Sequence, residues 1–461
     1  MPWRMIYLST ILMLSSCSRD APNPIVTQTS TGEPSLANEH DPTEKDLLPF
    51  YDARPVTFEE TRTGGNFAPH QLATYIERAQ TNEAHGNLVQ SLQDWQQTRE
   101  LVEHLCGENS WQSTNVRMAS KNAEWKANLN PQQQTLLQKI QRIEAAAREQ
   151  TQTLPAPDLW QQARSLAEQL WGNSSLAVAT YLSQEALAHQ TIGNNATAVR
   201  RYRSALEIRE QIVGQEHPDY AATLDALAQV HFVAGEHDIA REYLKEATRL
   251  SQVIWGSEHL RYALHLNELG MMHHRLGDIA PAEHTLLGAF QILKQQPDNV
   301  RVLLANTAYN LGAVYFVIKD FQQTCAYYDF ALKIYTTEFG RKDLRSLRTM
   351  ESLSAGYLAQ DDFPAAESLL REIAVIRTLN LGKHDPDTLR AFFRLAVVLG
   401  KQGNYEDAEP YFKFVLQTQR SDENTDPALL RKTLLTYATL LHKTGQIQAA
   451  NSMISQAHAL E

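Results

Sequence analysis

What this 461-residue chain has least of is positive charge, cysteine and long apolar runs. Lys and Arg number 42 against 53 Asp and Glu, a net charge of −11. That balance argues against a general nucleic-acid binder, because phosphate neutralisation needs a basic surface. It leaves room only for a small basic face. No Gly-rich phosphate loop, zinc-type cysteine pair or nucleophile elbow occurs, so no cofactor and no catalytic residue is expected, and the chain does not read as an enzyme. Beyond the first twenty residues no run is apolar enough to span a bilayer. What remains is rich in Ala, Leu and Gln, with 20 Gly and 18 Pro scattered through it. Such a composition suits many short helices joined by turns, and nothing in it suggests a sheet.

What the chain does have is a 42-residue period. Gly172, Gly214, Gly256, Gly340 and Gly382 share one register, with Asp298 and Asn424 at the two places where glycine is missing. Gly193, Gly235, Gly277, Lys319, Asp361, Gly403 and Gly445 form a second lattice. Five residues after each comes a small residue: Ala198, Ala240, Ala282, Thr324, Ala366, Ala408 and Ala450. Self-similarity at this period predicts a solenoid, in which each unit buries its apolar face against its neighbours.

The N-terminus has a different character. Arg4 precedes the apolar run Met5 to Leu14, too short for a membrane helix and suited to an export signal. Leu14-Ser15-Ser16-Cys17 resembles the lipobox of bacterial lipoproteins. That resemblance implies a signal peptide over 1–16, lipidation of Cys17, and anchoring in the cell envelope. Because Ser18 is not Asp, it favours the outer membrane. An ordinary secretory signal followed by a chance cysteine is the alternative. Several acyl chains, at about 0.8 kcal/mol per buried CH₂, would hold the protein stably. Residues 17–69, with seven prolines among Ser, Thr and Asp, read as a disordered tether. About fifty such residues span on the order of 40 Å.

Residues 70–172 carry a degenerate form of the unit. Gly86, Ser91, Trp95 and Gly107 stand at the offsets of Gly193, Ala198, Tyr202 and Gly214. From Gly107 to Gly172 the spacing exceeds one unit by 23 residues, which predicts an insertion that lengthens the helices between Ser113 and Gln150. Asn130-Pro131 marks a helix start within it. Trp95, Trp111, Trp125, Trp160 and Trp171 gather here, as a packed junction or, alternatively, a ligand platform. Gly107-Glu108-Asn109-Ser110-Trp111, the Asn-Pro insertion and the return to Leu170-Trp171-Gly172 together resemble the N-terminal segment of a large group of bacterial tetratricopeptide proteins.

From residue 173 to 461 seven units follow. The first helix of each carries an apolar residue and then a small one, as in Leu227-Ala228, Leu269-Gly270 and Leu311-Gly312, which lets two helices approach closely. The second helix brings Ala240, Leu244 and Ala247 onto one face. Glycine suits the left-handed residue that ends a helix, and Pro218, Pro386 and Pro427 suit the first turn of the next. This pattern resembles the tetratricopeptide repeat, and the Gly-x-x-His-Pro-Asp linker at Gly214 resembles its kinesin-light-chain subtype. The resemblance implies an all-α, right-handed superhelical solenoid of helix-turn-helix repeats. It also implies a concave groove, lined by first helices, that binds a peptide or protein segment.

Register places Asn267, Asn306, Asn310, Arg348, Arg390, Arg394, Lys432 and Lys443 on or beside the inner positions of the first helices. The basic ones gather in the last three units, which points to an acidic or carboxylate-bearing partner. A merely solvated helix face is the alternative. The family's full two-carboxylate clamp is not reproduced. His259, His265, His273, His274 and His284 fall within one unit without metal-ligand spacing, and read as surface or packing residues. Cys106 and Cys325, five repeat lengths apart, are not expected to bridge. The chain ends within its last helix, so no fused effector domain is expected. The expectation is an envelope adaptor that binds protein and no nucleic acid. A self-assembling structural lipoprotein is one rival. The other is a subunit of an envelope hydrolase, for which Glu100, Glu103, Glu108 and Glu124 show no pairing.

Overall fold

A computed structural model describes residues 69–85, 87–108, 110–151, 155–297, 300–422 and 425–460. The expected signal peptide, Cys17 and nearly all of the tether lie outside the described residues, as do Gly86, Asp298 and Asn424. Every regular element of the described residues is helical. They divide into two compact units, one ending at Met272 and one beginning at His273.

The first unit holds α1 (Pro69–Ala84), α2 (Leu88–Cys106), α3 (Trp111–Ala127), α4 (Pro131–Thr151), α5 (Pro157–Trp171), α6 (Leu176–Thr191), α7 (Asn195–Val213), α8 (Pro218–Val233), α9 (His237–Trp255) and most of α10 (Leu260–Arg275). The second unit runs through α11 (Ile279–Lys294), α12 (Arg301–Val317), α13 (Phe321–Phe339), α14 (Leu344–Ala359), α15 (Phe363–Leu381), α16 (Pro386–Lys401), α17 (Tyr405–Ser421), α18 (Pro427–Lys443) and α19 (Ile447–His458). Within each unit helices pack on their chain neighbours, α4 to α9 in succession in the first and α11 to α19 in the second.

The glycine lattices are backbone switches. All eleven glycines of the two lattices with described geometry, counting Gly107, have φ between 77° and 93°, the left-handed region that stops a helix. Lys319 and Asp361 hold the same turn at φ 64° and 58° without being glycine. The degeneracy at Lys319 is therefore one of sequence and not of conformation: the hairpin imposes the turn on whichever residue stands there. Acceptor side chains then start the next helix, with Asn194, Asp320 and Asp362 each accepting from the backbone N–H three residues on.

In the 214–219 linker, Gly214 ends α7 and Pro218 opens α8. His217 Nδ1 accepts from Asp219 N at 3.2 Å, so Nε2 carries the proton that Asn115 Oδ1 receives at 2.9 Å. Burial holds this imidazole below its ordinary pKa despite nearby Asp219, which matches the neutral tautomer. The linker thus ties α8 to α3.

The first hairpin keeps the repeat's anatomy, with Ser91 and Trp95 buried where Ala198 and Tyr202 are. The insertion adds a helix, and it lengthens α4 only slightly, to 21 residues against 19 in α7 and α9. Three helices, α3 to α5, separate Gly107 from Gly172, where two separate Gly172 from Gly214. Pro155 and Pro157 supply the break, since proline removes a helical donor and disfavours helix at the residue before it. The Asn130-Pro131 start does form: Gln133 N donates to Asn130 Oδ1 at 2.9 Å while Asn130 N donates to Gln133 Oε1 at 3.0 Å, a reciprocal capping box.

Close helix approach at small residues is also seen. A Cβ on Gly312 would lie 2.7 Å from the Tyr328 ring, and one on Gly356 would lie 2.8 Å from Cys325 Sγ. Cys325 and Cys106 are both free thiols.

Candidate functional site: the first-helix face

In the second unit the predicted inner positions fall at two depths. Asn306 and Asn310 on α12 are buried, at 1% and 0% exposure. Asn306 Oδ1 accepts the hydroxyl of Tyr335, which α13 holds at the core. Burial and neighbouring Tyr309 raise the Tyr335 pKa, opposed by the Arg345 and Arg348 guanidinium groups. Asn306 is thus tied to the core through this phenol. One repeat further along, Arg390 is exposed and paired with Asp387, one turn away on α16. Lys432 and Lys443 on α18 are exposed.

Arg394 has a structural neighbour that register did not reveal. Glu351 on α14 and Arg377 on α15 form an ion pair at 2.5 Å, both side chains at most 7% exposed. Arg377 Nη1 also donates to the Asp387 carbonyl at 2.7 Å, and Arg394 stands 3.9 Å from the other Glu351 oxygen. Arg394 therefore completes a buried ionic cluster, whereas Arg390, paired with Asp387, and Lys432 stay exposed.

In the first unit the predicted Asn267 is buried and directs its amide at Met271 Sδ, 3.6 Å away. Its helix neighbour His265 is the more consequential residue. Nε2 meets Asp225 Oδ2 at 2.7 Å, joining α10 to α8. Burial alone would lower the His265 pKa, but the charge of Asp225 and its hydrogen bond bring it up to about 9. Asp225 occupies the register of Asn267, Tyr309 and Glu351, and Glu268 that of Asn310 and Arg394. Reading those columns for acids as well as for bases and amides would have found both.

Of the other histidines, His284 is exposed. His259 stacks on Trp255 with ring centres 6.1 Å apart, and His273 lies 3.3 Å from Asp278. The tryptophans behave similarly. Trp95 and Trp160 are core residues, and Trp125 rests against Trp171 at 5.3 Å. An open depression of about 390 Å³ between α4 and α5 is lined by Lys139, Ile143, Asp158, Gln161, Gln162, Ser165 and Leu166, with no tryptophan in its wall.

Helical hairpins in strict register, small residues at each crossing and left-handed turns between helices define a repeat protein of the helix-turn-helix class. The chain belongs to the tetratricopeptide-repeat family: one tetratricopeptide-repeat profile matches residues 176–252, 219–295 and 303–378, and a second matches 356–422. Among solved structures it is similar to a kinesin light chain with nearly identical TPR-like repeats from Podosopora anserina, at 19% identity over 43% of this chain and 93% of that one, TM-score 0.39. It is similar to BtubC (BKLC) from P. vanneervenii at 20% identity over 59% and 92%, TM-score 0.38. The apo form of the quorum sensor NprR from B. thuringiensis matches at 12% identity over 82% and 99%, TM-score 0.46.

Proposed function

We propose that this chain is a lipid-anchored adaptor of the cell envelope that takes a carboxylate-bearing peptide or protein segment on the first helices of its second unit. The observation that carries the reading is one column of the repeat. Arg348, Arg390 and Lys432 stand 42 residues apart at the same helical position, and the last two are exposed within a chain of net charge −11. Exposed like charges at equivalent positions attract an acidic partner and speed its encounter, with an effect that salt weakens.

The test is photo-crosslinking in cells from positions 390 and 432, followed by affinity measurement with whatever is captured. Arg390→Glu with Lys432→Glu should weaken the acidic partner by at least about tenfold at low salt. Unchanged affinity would overturn the reading. Arg394 is unsuited to the test, because replacing it disturbs Glu351 and Arg377. The anchor is tested separately: fatty-acid labelling should be lost, and the protein released from the membrane fraction, in Cys17→Ser.

A further inference from the structure

Three ionisable side chains converge in the first unit that the basic column does not use. Asp225 comes from α8, and His265 and Glu268 from successive turns of α10. His265 meets Asp225 Oδ2 through Nε2 at 2.7 Å and the Arg261 carbonyl through Nδ1 at 2.8 Å. Both nitrogens therefore carry protons and neither has a lone pair for a metal. Asp225 is only 6% exposed, and its other oxygen, Oδ1, is buried without a hydrogen-bond partner. A buried acceptor left unmet costs about 1–3 kcal/mol, so it marks a place built for a donor. Glu268 is only partly exposed.

Charge decides which donor fits. The positive charge of His265 is matched by Asp225, and Glu268 is left over. Burial and the charge of Asp225 push Glu268 up to about 8, against the pull of His265, so near neutrality it holds its proton. An anion would face two carboxyl groups. A neutral donor could satisfy Asp225 Oδ1 but would give Glu268 no reason to ionise. A cation does both. We propose that Asp225, His265 and Glu268 form a subsite for a lysine or arginine side chain of a bound protein segment, with Asp225 Oδ1 and the Glu268 carboxylate as its acceptors.

Binding then displaces the Glu268 proton to the buffer while the new cation takes its place, so charge is conserved within the cluster. The groups whose charges act on one another here are Asp225 on α8 with His265 and Glu268 on α10, and His259 and Arg261 flank Trp255, whose ring stacks on His265 at 6.5 Å. The subsite rests on the adaptor reading only in taking its cation to be part of a protein segment. The probes are single capped residues, so failure here leaves the basic column untouched, and the reverse.

The experiment titrates the full chain, with 13C-labelled glutamate and histidine side chains, against N-acetyl-arginine amide, N-acetyl-lysine amide and N-acetyl-norleucine amide. Either cation should shift the Glu268 carboxyl and His265 signals saturably. Calorimetry in two buffers should show close to one proton released per cation at pH 7 and almost none at pH 10. Glu268→Gln copies the neutral carboxyl and so preserves the fold, which its melting temperature verifies. It should bind at least about tenfold more weakly and release no proton. An equal response to norleucine, no saturable response to either cation, or unchanged binding in Glu268→Gln would overturn the subsite.

Discussion

Gly312 on α12 lies directly beneath the ring of Tyr328 on α13, with room for a hydrogen and none for a methyl: a Cβ would sit 2.7 Å from two ring carbons. Tyr328 is itself 3% exposed and cannot swing away. Alanine is the better helix former by roughly 0.5–1 kcal/mol. Overpacking a tight crossing costs about 1–3 kcal/mol. The clash should win, and Gly312→Ala should lower the denaturation midpoint of the second unit, with Tyr328→Leu in the same chain restoring part of the loss.

Lys319 and Asp361 offer the opposite case. Each holds a left-handed turn that its glycine counterparts adopt freely. A side chain there costs about 1–2 kcal/mol, partly offset by the extra freedom glycine gains on unfolding. Lys319→Gly and Asp361→Gly should each raise the melting temperature, while Gly235→Ala, at φ 78°, should lower it.

The buried pair of Arg377 and Glu351 predicts an asymmetry. Removing one partner strands a buried charge, at a cost of about 3–5 kcal/mol, so Arg377→Met should be strongly destabilising. Arg377→Met combined with Glu351→Leu should recover much of that loss. A double-mutant cycle measured by chemical denaturation checks it.

The cluster at His265 makes stability fall as pH rises. His265 is raised from 6.5 to about 9, so its contribution is complete below pH 6.5 and disappears as pH climbs through 9. Glu268 is raised from 4.5 to about 8, so the folded state resists its ionisation and loses stability across that interval. The folded chain binds more protons than the unfolded one in both cases, which gives the two slopes the same sign. A tenfold difference in proton affinity between the folded and unfolded chain is worth about 1.4 kcal/mol. Thermal unfolding should show a lower melting temperature at pH 9 than at pH 5.5. Glu268→Gln should flatten the fall and be more stable than the parent at pH 9.

Much of the fold is legible because a turn writes itself locally. The glycine lattice, the small residues five positions on and the helix-opening prolines each report a backbone constraint that acts within a few residues. The extra helix is harder to read, because 23 surplus residues fit into longer helices as readily as into a new one. Only the break at Pro155 and Pro157 decides between the two. The face of the first helices is likewise legible from register, but its depth is not. Asn306 is buried by Tyr335 and Arg394 is drawn to Glu351, and both partners belong to other helices. Spacing along one helix carries no information about what arrives from the next.

Repeat arrays unravel from their ends, since each hairpin is held only by its neighbours. The Glu351–Arg377–Arg394 cluster spans α14, α15 and α16, so separating these helices parts the Glu351 carboxylate from both guanidinium groups. Opening of the second unit therefore meets a barrier at α14 to α16. The amide protons of α14 to α16 should therefore exchange with solvent late and as one block, which hydrogen exchange checks.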